Sequence, residues 1–103
     1  MIISAGENIY PAEIENVLYR HEAVFEAAVI GVPDPEWGES VKAFIVLKEN
    51  QTLTEAEIIN HCLQHLASYK KPKFVEFIPA LPRNTSGKIL KHTLRDGMTA
   101  ESK

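Results

Sequence analysis

The stretch that decides the fold is residues 24–48, VFEAAVIGVPDPEWGESVKAFIVLK, in which two apolar runs flank a Pro-Asp-Pro turn. Nearly every residue from Val24 to Val32 is apolar, which predicts a strand that is buried on both faces and ends at the following proline. The residues from Val41 to Lys48 alternate between two sets of side chains at the period of a strand. We therefore expect two strands, joined by a loop that holds Trp37 and Gly38.

The segment before these strands predicts a hairpin and a helix. Residues 1–10 form two short extended pieces around the small residues Ser4-Ala5-Gly6, a pattern typical of a small hairpin. Pro11 suits the first position of a helix, and a one-sided apolar pattern carries this helix to about His21.

The segment after the strands begins with a helix-start signal. Thr54 is followed three residues later by Glu57, a capping box that predicts a helix through Leu66. A strand at 74–78, a loop at 81–87 and a short helix at 91–96 capped by Gly97 complete the prediction. Interleaved strands and helices of this kind predict an α+β layer structure.

Length and composition fit one globular domain. The chain has 103 residues, 45% of them hydrophobic, which is enough for a single core. No apolar run approaches the roughly 20 residues that cross a bilayer, and the N-terminus lacks the pattern of a signal peptide. We therefore expect a cytoplasmic protein without a membrane span. The lone Cys62 lies in an apolar helical stripe and is interpreted as a small core residue.

Charge is unevenly distributed along the chain. Residues 1–69 hold 3 basic and 11 acidic side chains, whereas residues 70–103 hold 8 basic and 3 acidic ones. A cationic last third on an acidic domain could attract nucleic acid or phosphorylated small molecules. A solvated surface with no ligand is an equally good interpretation, and composition does not choose between them.

A glycine-lysine turn is the main motif of this basic segment. Residues 82–88, PRNTSGK, place small residues with accessible backbone N–H groups directly before a lysine, as in a phosphate-binding turn. The segment is not a Walker A loop, because Pro82 and Ile89 occupy positions that this motif gives to glycine and to Ser or Thr. On its own, such a segment is more often a surface turn than a site.

Three weaker patterns favour no function. His61 and His65 flank Cys62 on a helix, but no carboxylate stands at a fitting spacing, so we expect no metal site. The basic run at 70–73 lacks the aromatic stacking platform of RNA-binding domains, so we expect no nucleic-acid binding. Asn84-Thr85-Ser86 matches a glycosylation sequon, which we treat as chance in the absence of a secretory signal.

Two segments together change this interpretation. MIISAGENIYPAEIENVL, residues 1–18, resembles the segment that follows the hinge in fatty-acyl and aryl-CoA ligases of the adenylate-forming superfamily. LPRNTSGKILKHTLR, residues 81–95, resembles the C-terminal lysine motif of the same superfamily, and the sequence between them is similar too. The chain thus resembles the C-terminal domain of AMP-forming acyl-CoA ligases. The resemblance implies a small central β-sheet flanked by helices, with a short N-terminal β-hairpin.

The resemblance also implies a chemistry of two half-reactions. A carboxylic acid attacks the α-phosphate of ATP, held with Mg²⁺, and the thiol of coenzyme A then displaces AMP. Lys88 matches the catalytic lysine of the first step, and Ser86 and Gly87 form its ATP and acyl-adenylate loop. The residues that match the coenzyme A and pantetheine contacts of the second step are Ser4, Ala5, Gly6, Glu7, Trp37, Tyr69, Lys71 and Lys73. Many relatives carry glycine at the position of Ala5, which predicts a slightly tighter tunnel.

By the same resemblance, residues 1–103 are a single mobile C-terminal domain whose N-terminal ATP- and acyl-binding domain lies outside this sequence. We expect the isolated chain to be inactive and to hold no bound cofactor. A lysine acetyltransferase acting on Lys88 is a further partner that the family suggests. Two other functions stay open, namely an adenylation domain that serves a carrier protein and a stand-alone, non-catalytic binding module. The acid that is activated cannot be read from this segment.

Overall fold

Five strands, two helices, one 3-10 turn and a last helical segment at 91–95 follow one another in residues 1–95, the part of the chain that this computed structural model describes. The helix predicted at 91–96 is helical at residues 91–95, and its proposed cap, Gly97, lies outside the described residues. The elements are β1 (Ile2–Ser4), β2 (Glu7–Ile9), α1 (Pro11–Tyr19), β3 (Val24–Asp34), β4 (Gly38–Leu47), α2 (Glu55–His65), the 3-10 turn (Ser68–Lys70) and β5 (Phe74–Phe77).

The strands β3 and β4 form a long antiparallel hairpin. Their register runs from Val24 opposite Leu47 to Asp34 opposite Gly38, with one irregularity at Phe25. The loop between them is shorter than predicted, because only residues 35–37 form the turn and Gly38, at φ +86°, already belongs to β4. A positive φ is readily adopted by glycine, which lets the chain turn this sharply.

The prediction that β3 ends at Pro33 is wrong, since the strand continues to Asp34. The reason lies in the position of β3 at the edge of the sheet, where its outer side has no strand partner within residues 1–95. The N–H groups of Ala27 and Val29 point outward, to the hydroxyl of Tyr19 (3.1 Å) and the carboxylate of Glu15 (2.8 Å). Pro33 has the same parity along the strand, so its missing N–H removes no ladder hydrogen bond.

The central strand is β4. One of its sides pairs with β3, and the other pairs with β5 in parallel and with β1 at a single position, Ser4 opposite Gly38. The short contact with β1 is reinforced by Glu39, whose carboxylate accepts the N–H of Ile3 at 2.9 Å. Because β4 has neighbours on both sides and layers on both faces, every residue from Ser40 to Val46 is buried.

Apolar side chains cover both faces of the sheet. The first face packs against α1 and α2, and the second packs against the C-terminal segment. This two-faced arrangement confirms the predicted α+β fold with a central sheet, a short N-terminal hairpin and helices. The first core contains Ile9, Ile14, Leu18, Val29, Ile45, Ile58 and Cys62, and the second contains Ala28, Ile30, Val32, Phe44, Val46, Leu81 and Leu94.

The two helices begin where local signals predict. Pro11 is the first residue of α1, which ends at Tyr19, two residues before the predicted end. At α2, Thr54 accepts the N–H of Glu57 at 3.1 Å while the Glu57 carboxylate accepts the N–H of Thr54 at 3.0 Å. The predicted capping box is therefore confirmed. Neither helix, nor any other within residues 1–95, has the length and apolar character needed to cross a bilayer.

Removal of the α2 cap should destabilise the domain. We expect Thr54→Ala to lower the free energy of unfolding by about 1 kcal/mol, because an N-terminal N–H of α2 loses its partner. Thr52→Ala, which changes an exposed threonine before the helix, is the matched control and should have little effect. Urea denaturation followed by circular dichroism measures both, and equal losses would contradict a capping role.

Candidate functional site

A small hairpin presents Lys88. Arg83 and Ile89 form an isolated antiparallel bridge, and the N–H of Leu90 donates to the carbonyl of Pro82 at 2.8 Å. We refer to residues 84–88, at the tip of this hairpin, as the lysine loop. Gly87 adopts φ +86° in this loop, a conformation that favours glycine. The segment predicted as a plain loop is thus a closed turn.

Asn84 organises the lysine loop from within. Its side-chain oxygen accepts three hydrogen bonds, from the N–H and hydroxyl of Ser86 at 3.0 and 3.1 Å and from the N–H of Lys88 at 3.0 Å. Its backbone carbonyl accepts the N–H of Gly87 at 3.0 Å. Neither the sequon at 84–86 nor the motif at 82–88 predicted this role for Asn84. An Asn two residues before a Ser-Gly pair is a recognised turn signal, and it could have identified this role.

These hydrogen bonds correct the expectation of a phosphate cradle. The N–H groups of Ser86, Gly87 and Lys88 all donate within the loop, so the backbone does not offer them to a ligand. The Lys88 side chain is exposed and takes part in none of the ion pairs found within residues 1–95. The Lys88 ammonium is thus the one positive charge that residues 84–88 present to an anion.

A separate pocket lies at the end of the sheet where β1 meets β4. Its volume is about 420 Å³. It contains seven of the eight residues predicted to contact coenzyme A, which come from three distant parts of the chain. The eighth, Gly6, lies in the same β1–β2 turn but not in the wall. The wall is formed by Ser4, Ala5, Glu7, Trp37, Ser40, Val41, Ile59, Tyr69, Lys71, Pro72 and Lys73.

The pocket depends on contact between two tight turns. In the β1–β2 turn, Ala5 and Gly6 both have positive φ values, +51° and +81°, the conformation that a two-residue hairpin of type I′ requires. The N–H of Ala5 donates to the carbonyl of Trp37 in the β3–β4 turn at 2.9 Å. Ala5 thus carries a conformation that glycine adopts with less strain.

A buried aspartate behind the pocket holds one wall in place. The Asp34 carboxylate accepts the hydroxyl of Ser40, the ammonium of Lys73 at 2.9 Å, and the N–H groups of Glu36 and Trp37 at 2.8 and 3.0 Å. The hydrogen bond from Ser40, followed by that from Lys73, holds the pKa of Asp34 well below its usual range. The Lys73 ammonium also lies 4.7 Å from the centre of the Trp37 ring. No pattern in the sequence predicted that Asp34 supports this pocket.

Folding brings oppositely charged parts of the sequence together in ion pairs. Three cations of residues 70–103 pair with acids of residues 1–69 at 2.7 to 2.9 Å, and Arg83 pairs with Glu26 in the same way. Within residues 1–95, four basic side chains of the last third are thus paired with acids of the first part of the chain. The other three ion pairs are Lys70–Glu13, Lys73–Asp34 and Lys91–Glu15.

The histidines and the cysteine have structural contacts. A ring nitrogen of His61 lies 2.7 Å from the carbonyl of Val17, so it donates a hydrogen bond that joins α2 to α1. Cys62 is fully buried in the first core, and burial raises the pKa of its thiol to about 11. A buried, protonated thiol fits the predicted role of a core residue.

The pocket and the lysine loop are supported by residues that lie far apart along β3. Asp34 supports the pocket at one end of this strand, and Glu26 contacts the lysine-loop hairpin near the other end. The eight residue-to-residue steps from Glu26 to Asp34 correspond to about 26 Å of extended strand. Two separate surfaces are therefore available on one rigid sheet.

Comparison with known proteins identifies the family. The model of the AMP-binding enzyme C-terminal domain matches residues 13–88. The chain belongs to this family. The resemblance noted in the sequence is thereby confirmed, and the lysine loop and the pocket are features of an AMP-binding enzyme C-terminal domain.

Several proteins are similar to this AMP-binding enzyme C-terminal domain over nearly its whole length. The long-chain-fatty-acid–CoA ligase FadD13 of Mycobacterium tuberculosis is 51% identical over 97% of the chain and 20% of its own length. The fatty acid–[acyl-carrier-protein] ligase ScoC of Streptomyces coeruleorubidus is 50% identical over 98% of the chain and 20% of its own length. The structure of ATP-bound MatB from Rhodopseudomonas palustris superimposes with a TM-score of 0.92 at 40% identity, covering 98% of this chain and 20% of that one. The chain spans about a fifth of each relative.

The charge on Asp34 should stabilise the domain in a pH-dependent way. Because the folded-state pKa is lowered, the ionised carboxylate stabilises the fold above the ordinary aspartate pKa of about 4, and this contribution is lost as the pH falls further. We expect Asp34→Asn to be less stable than the wild type at pH 7, with the difference narrowing below about pH 4. Glu49→Gln, at an exposed carboxylate, is the control. Urea titrations from pH 3 to 7 measure the effect, and a difference independent of pH would contradict it.

Proposed function

We propose that this chain is the C-terminal catalytic-lid domain of an ATP-dependent, AMP-forming acyl-CoA ligase. Such an enzyme adenylates a carboxylic acid and then transfers the acyl group to the thiol of coenzyme A. The observation that carries the proposal is the separation of the lysine loop from the pocket, with anchors about 26 Å apart along β3. One rigid domain that presents two distant surfaces suits two successive steps, in which the domain turns one surface and then the other toward the reacting groups.

In the proposed first step, Lys88 acts on the acid and ATP. Two anions approach each other as the carboxylate attacks the α-phosphate, and negative charge shifts among the phosphate oxygens. A cation about 4 Å from such an oxygen contributes about 4 kcal/mol at an effective dielectric constant of 20. Lys88 suits this task because it is exposed and has no carboxylate partner among residues 1–95. Ser86 and Gly87 shape the loop that carries Lys88. Mg²⁺ would enter the site together with ATP.

In the proposed second step, the pocket receives coenzyme A. Its volume lies within the usual range for small-molecule sites, and apolar walls stand beside the cations Lys71 and Lys73. The Trp37 ring offers a flat surface for the nucleotide end, and the small residues of the β1–β2 turn leave room for the pantetheine arm. The chemistry of the wall thus fits a ligand that combines phosphates, a base and a narrow chain.

The proposal requires a larger parent enzyme. A separate domain would bind ATP and the acyl group, and residues 1–103 would move relative to it as a unit. Such an enzyme would work in the cytoplasm, where ATP and coenzyme A are available. The exposed Lys88 side chain would also be accessible to a lysine acetyltransferase, and acetylation would remove the charge that the first step needs.

A carrier protein is a second candidate acceptor. The relative ScoC, 50% identical to this chain, is named as a fatty acid–[acyl-carrier-protein] ligase, so the same domain type occurs with either acceptor. A carrier protein would present its own phosphopantetheine arm at the same turn. Assays with coenzyme A and with a phosphopantetheinylated carrier protein distinguish the two, and the main proposal requires faster transfer to coenzyme A.

The two half-reactions should respond to different substitutions in the parent enzyme. We expect Lys88→Ala to slow acyl-adenylate formation roughly a hundredfold or more, because one charge contact to the transition state is lost. Gly6→Leu should instead obstruct the pantetheine path and slow thioester formation. Pyrophosphate release from acid and ATP reports the first step, and thioester formation from preformed acyl-adenylate and coenzyme A reports the second.

Matched controls separate chemistry from folding in this experiment. Lys48→Ala removes an exposed lysine that belongs to neither surface and should leave both rates unchanged. Gly6→Ala imposes a similar backbone strain on the turn with much less bulk, because a Cβ at Gly6 meets no atom within 4 Å. Equal loss of both half-reactions in Lys88→Ala and Gly6→Leu, with folding intact, would contradict two alternating surfaces.

The isolated chain should not activate an acid. With ATP, magnesium and a panel of carboxylic acids, we expect residues 1–103 to release pyrophosphate at the background rate, since half of each binding site belongs to the parent enzyme. Addition of a parent enzyme truncated before this domain is the positive control. Turnover by the isolated chain itself would overturn the assignment as a lid domain.

A further inference from the structure

The Arg83 guanidinium connects the lysine loop to the sheet. One of its nitrogens donates to the carbonyl of Gly87 at 2.7 Å, and another pairs with the carboxylate of Glu26 on β3. Both side chains are partly withdrawn from solvent, with 39% of Arg83 and 19% of Glu26 exposed. A single planar group therefore bridges a backbone oxygen of the loop and an anion fixed on a strand.

The irregularity in β3 makes this bridge compatible with the first core. Glu26 has the parity of Ala28, Ile30 and Val32, whose side chains lie on the second face, over which the C-terminal segment packs. An unbroken strand would then turn Val24 to the same face. The register shift at Phe25 instead lets Val24 pack in the first core while Glu26 faces Arg83. Bulges commonly re-aim side chains in this way.

The carbonyl that Arg83 contacts belongs to the peptide bond that precedes Lys88. The N–H of the same peptide unit donates to the Asn84 side chain at 3.0 Å. Because a peptide unit is planar, holding its oxygen and its N–H at opposite ends fixes its orientation. Gly87, at φ +86°, would otherwise allow this peptide to rotate at small energetic cost.

We propose that Arg83 is a positioning residue for Lys88: together with Asn84 it clamps the Gly87–Lys88 peptide, and through Glu26 it fixes this peptide to β3. This inference rests on the proposed function, in which Lys88 acts on the acid and ATP. The clamp sets the direction in which the Lys88 side chain leaves the loop. A misplacement of about 1 Å in a reacting group lowers a rate roughly a hundredfold, so the clamp bears directly on adenylation.

The geometry requires the two-pronged shape of arginine rather than its charge alone. Lysine has one nitrogen and cannot hold the Gly87 carbonyl and the Glu26 carboxylate from two separate positions. We expect Arg83→Lys and Arg83→Ala to release the peptide alike. The exchanged pair Arg83→Glu with Glu26→Arg restores the ion pair but leaves no donor at position 83 for the Gly87 carbonyl, so it should not restore the clamp.

The first measurement uses the chain itself. Hydrogen exchange of the Lys88 amide, followed by NMR, should accelerate roughly tenfold or more in Arg83→Ala, Arg83→Lys and the exchanged pair. The outward-facing amide of Val29 on β3 should keep its wild-type protection. Lys91→Ala is the matched control, because it removes the ion pair between Lys91 and Glu15 on α1, and Lys91 lies outside the lysine loop. Unchanged Lys88 exchange in Arg83→Ala, or its recovery in the exchanged pair, would overturn the clamp.

The second measurement uses the parent enzyme. Arg83→Lys should slow acyl-adenylate formation roughly 10- to 100-fold and leave thioester formation from preformed acyl-adenylate unchanged. Loss of both steps together would assign Arg83 a general structural role and overturn the positioning role. A wild-type parent enzyme that forms no acyl-adenylate would instead refute the proposed function, while the exchange data would still decide whether Arg83 clamps the loop.

Discussion

The antiparallel ladder between β3 and β4 is the constraint on which the rest of the structure depends. It gives β4 its central place and leaves one side of β4 free for β1 and β5. Its turn places Asp34 and Trp37 beside the β1–β2 hairpin, and its irregular start places Glu26 under the lysine-loop hairpin. Because paired strands resist bending along their length, the ladder keeps the pocket and the lysine loop at a fixed separation.

Electrostatic pairing links the last third of the described chain to α1 and to this ladder. The acidic first part and the basic last part of the sequence attract each other, and the ion pairs of Lys70, Lys73, Arg83 and Lys91 all join the two parts. Exposed pairs of this kind contribute little stability each, typically below about 1 kcal/mol. Their main effect is on geometry, because each fixes a loop or turn that has few apolar contacts of its own.

Features with local causes could be predicted from the sequence, and features that need distant partners could not. Pro11 and the Thr54–Glu57 pair act within one helical turn, so the helix starts were predictable. The continuation of β3 through Pro33 depends on which strand lies beside it, and the partners of Asp34 and Arg83 lie up to 57 residues away. The family resemblance selected seven residues that fold around one pocket. It did not reveal Asp34 or Asn84, because these residues act through hydrogen bonds and do not line the pocket.

The environment of Cys62 has a practical consequence for the study of domain motion. It is the single cysteine of the chain, it is fully buried, and burial raises the pKa of its thiol to about 11. A buried, protonated thiol is neither accessible nor nucleophilic, so thiol-directed dyes should not modify this position while the domain is folded. A cysteine introduced at the pocket or in the lysine loop would then carry a fluorophore or spin label without background from this domain, so that distance measurements could follow the proposed domain motion.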